Sequence, residues 1–191
     1  PPEVIKDMMD KLKEIMNTYS KSVIPEDRRE EDFSNVLSSV TDPLLNKLSD
    51  YFEANKERKD KLSDLHIFLI NCYLLIQNSL GNYTFTSKKL EQVFNLMESH
   101  VNLFVDYQAQ SLLETCGLRE KVNLIKAHSK ANIPLSQVPG LTREELVNFF
   151  LHFNENLYAL GSQLLIPQKQ CYLIASARLR IHTQNRIATE F

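Results

Sequence analysis

"LHIFLINCYLLIQ", residues Leu65–Gln77, is the most apolar stretch of the chain, and its reading decides the fold. It suits a membrane anchor, a buried strand or the inside of a helical bundle. A bilayer span needs about 18 to 20 nearly uncharged residues. Here Asp64 and His66 interrupt one side, Gln77 and Asn78 the other, and Asn71 stands in the middle. No membrane span is expected. A half-buried strand would alternate with period two, and this stretch does not. Asp64, Asn71 and Asn78 recur every seven residues, which aligns them on one narrow helical stripe. The spacing therefore predicts a helix over residues 62–80, ending at Gly81 and apolar round most of its circumference. Such a helix needs neighbours on several sides. Phe68, Cys72, Leu75 and Ile76 are expected inside, and Asn71 is expected to meet a polar strip or a backbone partner.

The flanking sequence supplies those neighbours. Val4, Met8, Leu12, Ile15, Met16, Tyr19 and Val23 form a stripe stopped by Pro25. "PEDRREED" (Pro25–Asp32) reads as a mixed-charge linker, and Asp42-Pro43 as an N-cap and first helical position. "EANKERKDK" (Glu53–Lys61) reads as a charged turn or helix end. A long helical pattern follows from Ser87 to Cys116, with rows through Phe94, Met97, Val101 and Phe104 and through Val93, His100 and Leu103; Gly117 is placed to end it. A short helix, "LREKVNLIKAH", precedes a loop marked by Pro134, Pro139 and Gly140. Thr142 and Glu145 have capping-box spacing, opening a stripe of Leu146, Phe149, Phe150, Phe153, Leu157 and Leu160. A last helix after "LLIPQ" carries Tyr172, Leu173, Ala177 and Ile181. The expected fold is all-α, an antiparallel helical bundle, with residues 1–39 a helix plus charged linker, the end of a preceding bundle or not, and residues 40–191 the bundle itself.

Composition narrows function. The 191 residues carry a formal net charge of −2, with 43% hydrophobic and 24% charged residues, so no charge excess draws the chain to nucleic acid or acidic lipid. Only four glycines occur, which disfavours hairpins and glycine-rich phosphate loops. Cys72, Cys116 and Cys171 are odd in number and dispersed, which fits small core residues in a reducing compartment. The Asn82-Tyr83-Thr84 sequon then reads as chance. The chain shows no signal peptide and starts without methionine, so it is expected to be a fragment of a longer one.

No reaction centre stands out. None of His66, His100, His128, His152 and His182 sits in an HExxH or ExxH arrangement, so no metal or nucleotide cofactor is expected. His100, on an apolar row, reads as a hydrogen-bonded core residue. At the C-terminus, Lys169, Arg178, Arg180 and Arg186 face a single acid, Glu190. Arg178, Arg180 and Arg186 are the candidate partner-binding residues, suited to an acidic partner, with Tyr172 and Ile181 anchoring their helix. A solvated helix face with cations near its C-terminus explains the same pattern.

Several words occur in a telling order: "VTDPLL" (Val40–Leu45), "LINCYLL" (Leu69–Leu75), "FTSKKLE" (Phe85–Glu91), "ESHVNLFVDYQA" (Glu98–Ala109), Gly117-Leu118 and "LLIPQ" (Leu164–Gln168). Together, over residues 40–180, they resemble the C-terminal half of subunit 6 of the conserved oligomeric Golgi complex. The resemblance implies a rod-like helical bundle of the multisubunit tethering type. It also implies a non-enzymatic peripheral subunit on the cytosolic face of the Golgi membrane. Such a subunit would act in retrograde intra-Golgi transport, binding other subunits of the complex and SNAREs. Two other classes remain open on the residues alone: an all-α enzyme with a site assembled from Cys72, His100 and His152, and a helical adaptor outside the Golgi.

Overall fold

A computed structural model describes residues 1–128, 133–159 and 161–191, the side chain of Tyr158 excepted. The fold is all-α, a helical bundle, and no strand occurs among the described residues. Among the described residues eight α-helices follow in order: α1 (Glu3–Ser20), α2 (Glu26–Asn55), α3 (Leu62–Leu80), α4 (Ser87–Thr115), α5 (Leu118–His128), α6 (Arg143–Tyr158), α7 (Ile166–Cys171) and α8 (Ala177–Glu190). The chain forms two compact units. Residues 1–104 and 173–180 make the first, and residues 105–172 and 181–191 the second. No helix among the described residues is long and apolar enough to cross a membrane.

The first unit is built round α3, where the opening stretch lies. Leu69, Ile70, Cys72, Tyr73, Ile76 and Leu80 are all buried, and α1 and α2 pack on this helix. Each fully buried aliphatic side chain contributes about 1.5–3 kcal/mol of gross stabilisation, most of it offset by ordering entropy. Asp64 and Asn78 are exposed, as the stripe requires. Phe68 and Leu75 flank that stripe and are half-buried rather than buried.

On α1 the buried row is Ile5, Met9, Leu12 and Met16, one residue round from the expected stripe; Val4, Ile15 and Val23 are exposed. Both rows are apolar in the sequence, so periodicity alone leaves the choice of edge open.

The largest correction concerns α2. All of the expected linker "PEDRREED" but Pro25, which is the N-cap, and the expected helix start at Asp42-Pro43 lie within one 30-residue helix. The division expected between residues 39 and 40 falls inside it too. Glu26 and Asp27 sit in its first turn, where acids complement the helix dipole. Arg29 folds back on the α1–α2 turn, donating from Nε to the Ile24 carbonyl at 2.9 Å and from Nη2 to that of Ser22 at 3.2 Å. Glu30 accepts from the Lys88 amide at 3.0 Å and so serves the N-terminus of α4. Pro43 in a helix interior costs about 3 kcal/mol. The row Phe33, Leu37, Thr41, Leu44, Leu45 and Leu48 is buried on both sides of it, and that packing carries the helix through. Asp42 then pairs with Lys89 of α4 at 2.6 Å. Tyr19, Phe33 and Phe85 close this end of the unit, with ring centroids 4.6 to 5.2 Å apart.

The second unit has a thinner core of Val105, Gln108, Ala109, Leu141, Pro167, Cys171, Thr183 and Ile187. Gln108 donates to the side-chain oxygen of Gln170. Gly117 adopts the left-handed conformation expected after α4, with φ 74°. The capping box of α6 is formed: the Glu145 amide donates to Thr142 Oγ1 at 3.4 Å, and the Thr142 amide donates to the Glu145 carboxylate at 3.1 Å. The hydrogen bonds from Thr142, then that from the Gly140 amide, hold this carboxyl below its ordinary range. Gly140 has φ 89°, a conformation that favours glycine; a Cβ there would also meet Leu124 Cδ1 at 2.7 Å, so the end of that side chain would have to yield. Along α6, Leu146, Phe149 and Phe153 are half-buried while Phe150 and Leu157 are exposed; Leu160 lies outside the described residues.

Candidate interaction surface

The approach to α8 is fixed by α3. Asn71 Nδ2 donates to the Leu173 carbonyl at 2.9 Å, and Asn71 Oδ1 accepts from the Ala175 amide at 2.8 Å. One side-chain amide thus pairs with both backbone groups around Ile174, which is itself 1% exposed. This is the backbone partner that the Asn71 stripe predicted. Its place in the sequence, about a hundred residues away, leaves no trace in helical periodicity.

Tyr172 and Ile181, expected to anchor this region, are 58% and 60% exposed. Ile174 does the anchoring instead, and Thr183 and Ile187 are the buried residues of α8. The turn before α8, rather than the helical repeat, decides which side faces inward. Arg178 is exposed, while Arg180 and Arg186 are half-buried. Arg178 and Arg180 are two residues apart and so project about 200° apart round the helix axis. Arg180 Nε is buried without a hydrogen-bond partner among the described groups. The three arginines share a helix but not one solvent-facing stripe.

The second unit carries apolar surface that the sequence reading assigned to a core. Leu118, Val122, Ile125, Leu146, Phe149 and Phe150 line a groove of about 290 Å³ between α5 and α6. Lys121 lies at its edge, 5.7 Å over the Phe149 ring, and donates to the Gly140 carbonyl at 2.9 Å. Val147 and Leu151 expose further apolar area on α6. The available signal was the one-sided stripe of α6 itself, but a stripe marks apolarity and not what covers it.

A cavity of about 550 Å³ in the same unit is lined by Cys116, Phe149, His152, Phe153, Asn156 and Ser162, among others. Cys116 Sγ donates to the Leu113 carbonyl at 3.6 Å, and His152 Nδ1 lies 3.5 Å from Glu155, which stands three residues on along α6. Of the residues an assembled enzyme site would use, Cys72 and His100 are buried in the first unit, and His152 is exposed on α6 in the second. Burial pushes the Cys72 thiol up to about 11, away from the thiolate that a nucleophile needs. Among the described residues, no group of three or more His, Cys, Asp or Glu side chains is placed to hold a metal ion.

The fold is an all-α helical bundle with apolar faces of α6 left in solvent, an architecture consistent with the helical bundles of rod-like tethering subunits. The family model for the C-terminal region of conserved oligomeric Golgi complex subunit 6 matches residues 1–191, and the chain belongs to that family. The match includes residues 1–39, which the sequence reading left outside the resemblance. Subunit 6 of Dictyostelium discoideum is 32% identical over 181 residues, covering 94% of this chain and 26% of that protein. The Bos taurus subunit 6 is 28% identical over 185 residues, 97% of this chain and 27% of its own. That of Arabidopsis thaliana is 25% identical over 204 residues, 88% of this chain and 29% of its own. The chain thus spans about a quarter of the length of the curated relatives it matches. No solved structure matches it.

Proposed function

We propose that this chain is a non-enzymatic, partner-binding part of a Golgi tethering-complex subunit, acting at the cytosolic face of the Golgi membrane in retrograde intra-Golgi transport. Its partners on this reading are other subunits of the complex and SNAREs. The observation that carries it is the family match along the whole of residues 1–191. The apolar faces of α5 and α6 support it, because exposed apolar area of this kind marks association surfaces.

Arg178, Arg180 and Arg186 of α8 are separate electrostatic candidates for partner contact, with Arg178 the most accessible. Charges of this kind set association rate and salt sensitivity more than affinity. The test is a pull-down of the chain with each of the other complex subunits and with Golgi SNAREs, repeated for Arg178→Glu. The native chain retains at least one complex subunit. The variant keeps its helicity and melting temperature and loses binding most at low salt. No retention of any subunit by the native chain overturns the reading, whereas normal binding by the variant removes only the arginine from it.

A further inference from the structure

Two imidazoles meet in the core of the first unit. His66 on α3 and His100 on α4 are 2% and 8% exposed, and their Nδ1 atoms are 3.2 Å apart. A hydrogen bond between two ring nitrogens needs one donor and one acceptor. One ring therefore carries its proton on Nδ1, and the other keeps Nδ1 bare and carries its proton on Nε2. Phe52 of α2 lies against both rings, with centroids at 5.5 and 4.9 Å, and Tyr73 of α3 stacks on His100 at 5.7 Å. The other ionisable groups of this part of the core are the Tyr73 phenol and the Cys72 thiol. Burial pushes them up to about 12 and about 11, so neither supplies a negative charge near neutrality. No Asp or Glu is among the groups that shift either imidazole.

We propose that His66 and His100 form a one-proton clasp between α3 and α4, fully stabilising while both rings are neutral, loaded with buried charge by a first further proton and opened by a second. A first further proton goes to the bare Nε2 of the donor ring and places charge in an aromatic box where no described carboxylate shifts either ring; a second, on the accepting Nδ1, sets donor against donor. Burial, and then the neighbouring His100, lower His66 to about 4, and burial lowers His100. In the unfolded chain both rings take protons near pH 6.5. Between about pH 6.5 and about 4 the unfolded chain thus binds more protons than the folded one. The clasp's contribution to stability is complete above that window and is lost as pH falls through it. From His66 alone, the ratio of folded to unfolded first unit falls about tenfold between pH 7.5 and 5.5.

Nitrogen-15 NMR of the native chain at pH 7.5 tests the clasp directly. One of the two rings shows the Nδ1–H tautomer and the other Nε2–H, and neither titrates until well below pH 6.5. Two Nε2–H rings, or either ring titrating at its ordinary value, overturns the proposal. Urea unfolding from pH 7.5 to 5.5 gives a second measure, in which the native chain loses about tenfold or more of its folding equilibrium constant. The double variant His66→Phe/His100→Phe loses less than about twofold, since it has nothing to protonate there. An undiminished pH dependence in that variant overturns the clasp, and the NMR measurement decides alone if the variant does not fold.

Discussion

The two units solve the problem of apolar sequence in opposite ways. In the first, α3 is surrounded: Leu69, Ile70, Cys72 and Ile76 are fully buried, and even its one polar central residue, Asn71, is spent on backbone groups. In the second, α5 has no buried residue and α6 leaves Val147, Phe150 and Leu151 in solvent. Both helices are rich in apolar residues, but α3 is apolar round most of its circumference and is enclosed by its own unit, whereas the described apolar residues of α6 are at most half-buried. The first unit is thus organised round an enclosed helix, whereas the second leaves apolar helix faces exposed.

Charge placed on each helix separates the two. Ile70→Asp puts an unpaired carboxylate where the side chain is 0% exposed, and should cost about 4 kcal/mol or more, read as loss of cooperative urea unfolding of the first unit. A cost below about 1 kcal/mol would show that α3 is not the enclosed helix described. Asn71→Ala should be next, at about 1–3 kcal/mol, because the Leu173 carbonyl and Ala175 amide lose their partner. Amide exchange in residues 173–180 should rise in that variant, and unchanged protection would mean that Ile174 alone holds the segment. Phe150→Asp should be smallest. At 56% exposure the residue gives up little, and stability should change by no more than about 0.5 kcal/mol. If the same substitution left subunit binding intact, α6 would be merely exposed rather than a docking face.

The same contrast explains what was legible beforehand. Features set by neighbours along the chain could be read: α3 from its seven-residue polar stripe, the Thr142–Glu145 box, and the left-handed Gly117. Features set by distant packing could not. Pro43 is a sound local reason to start a helix, yet Leu37 and Thr41 before it and Leu44 and Leu48 after it share one buried row, and the row prevails. Tyr172 and Ile181 have the right residue types for anchors, but the Asn71 clip turns the segment so that Ile174 points inward. For the candidate surface, the charge pattern singled out the arginines and periodicity the α6 stripe. It could not report that Arg180 is half-buried or that Phe150 is exposed, since accessibility depends on which helices lie alongside.

The Asn71 clip also imposes an order on biosynthesis. Residues 173–180 belong to the first unit, yet a ribosome delivers them only after the sequence of α5, α6 and α7. Helices α1 to α3 and the first part of α4 can collapse early, because the contacts among them lie within residues 1–104, but the docking site for Ile174 stays vacant until about a hundred further residues have followed Asn71. During that interval the nascent chain shows apolar surface at the unfilled seat on α3, which closes when Ile174 arrives.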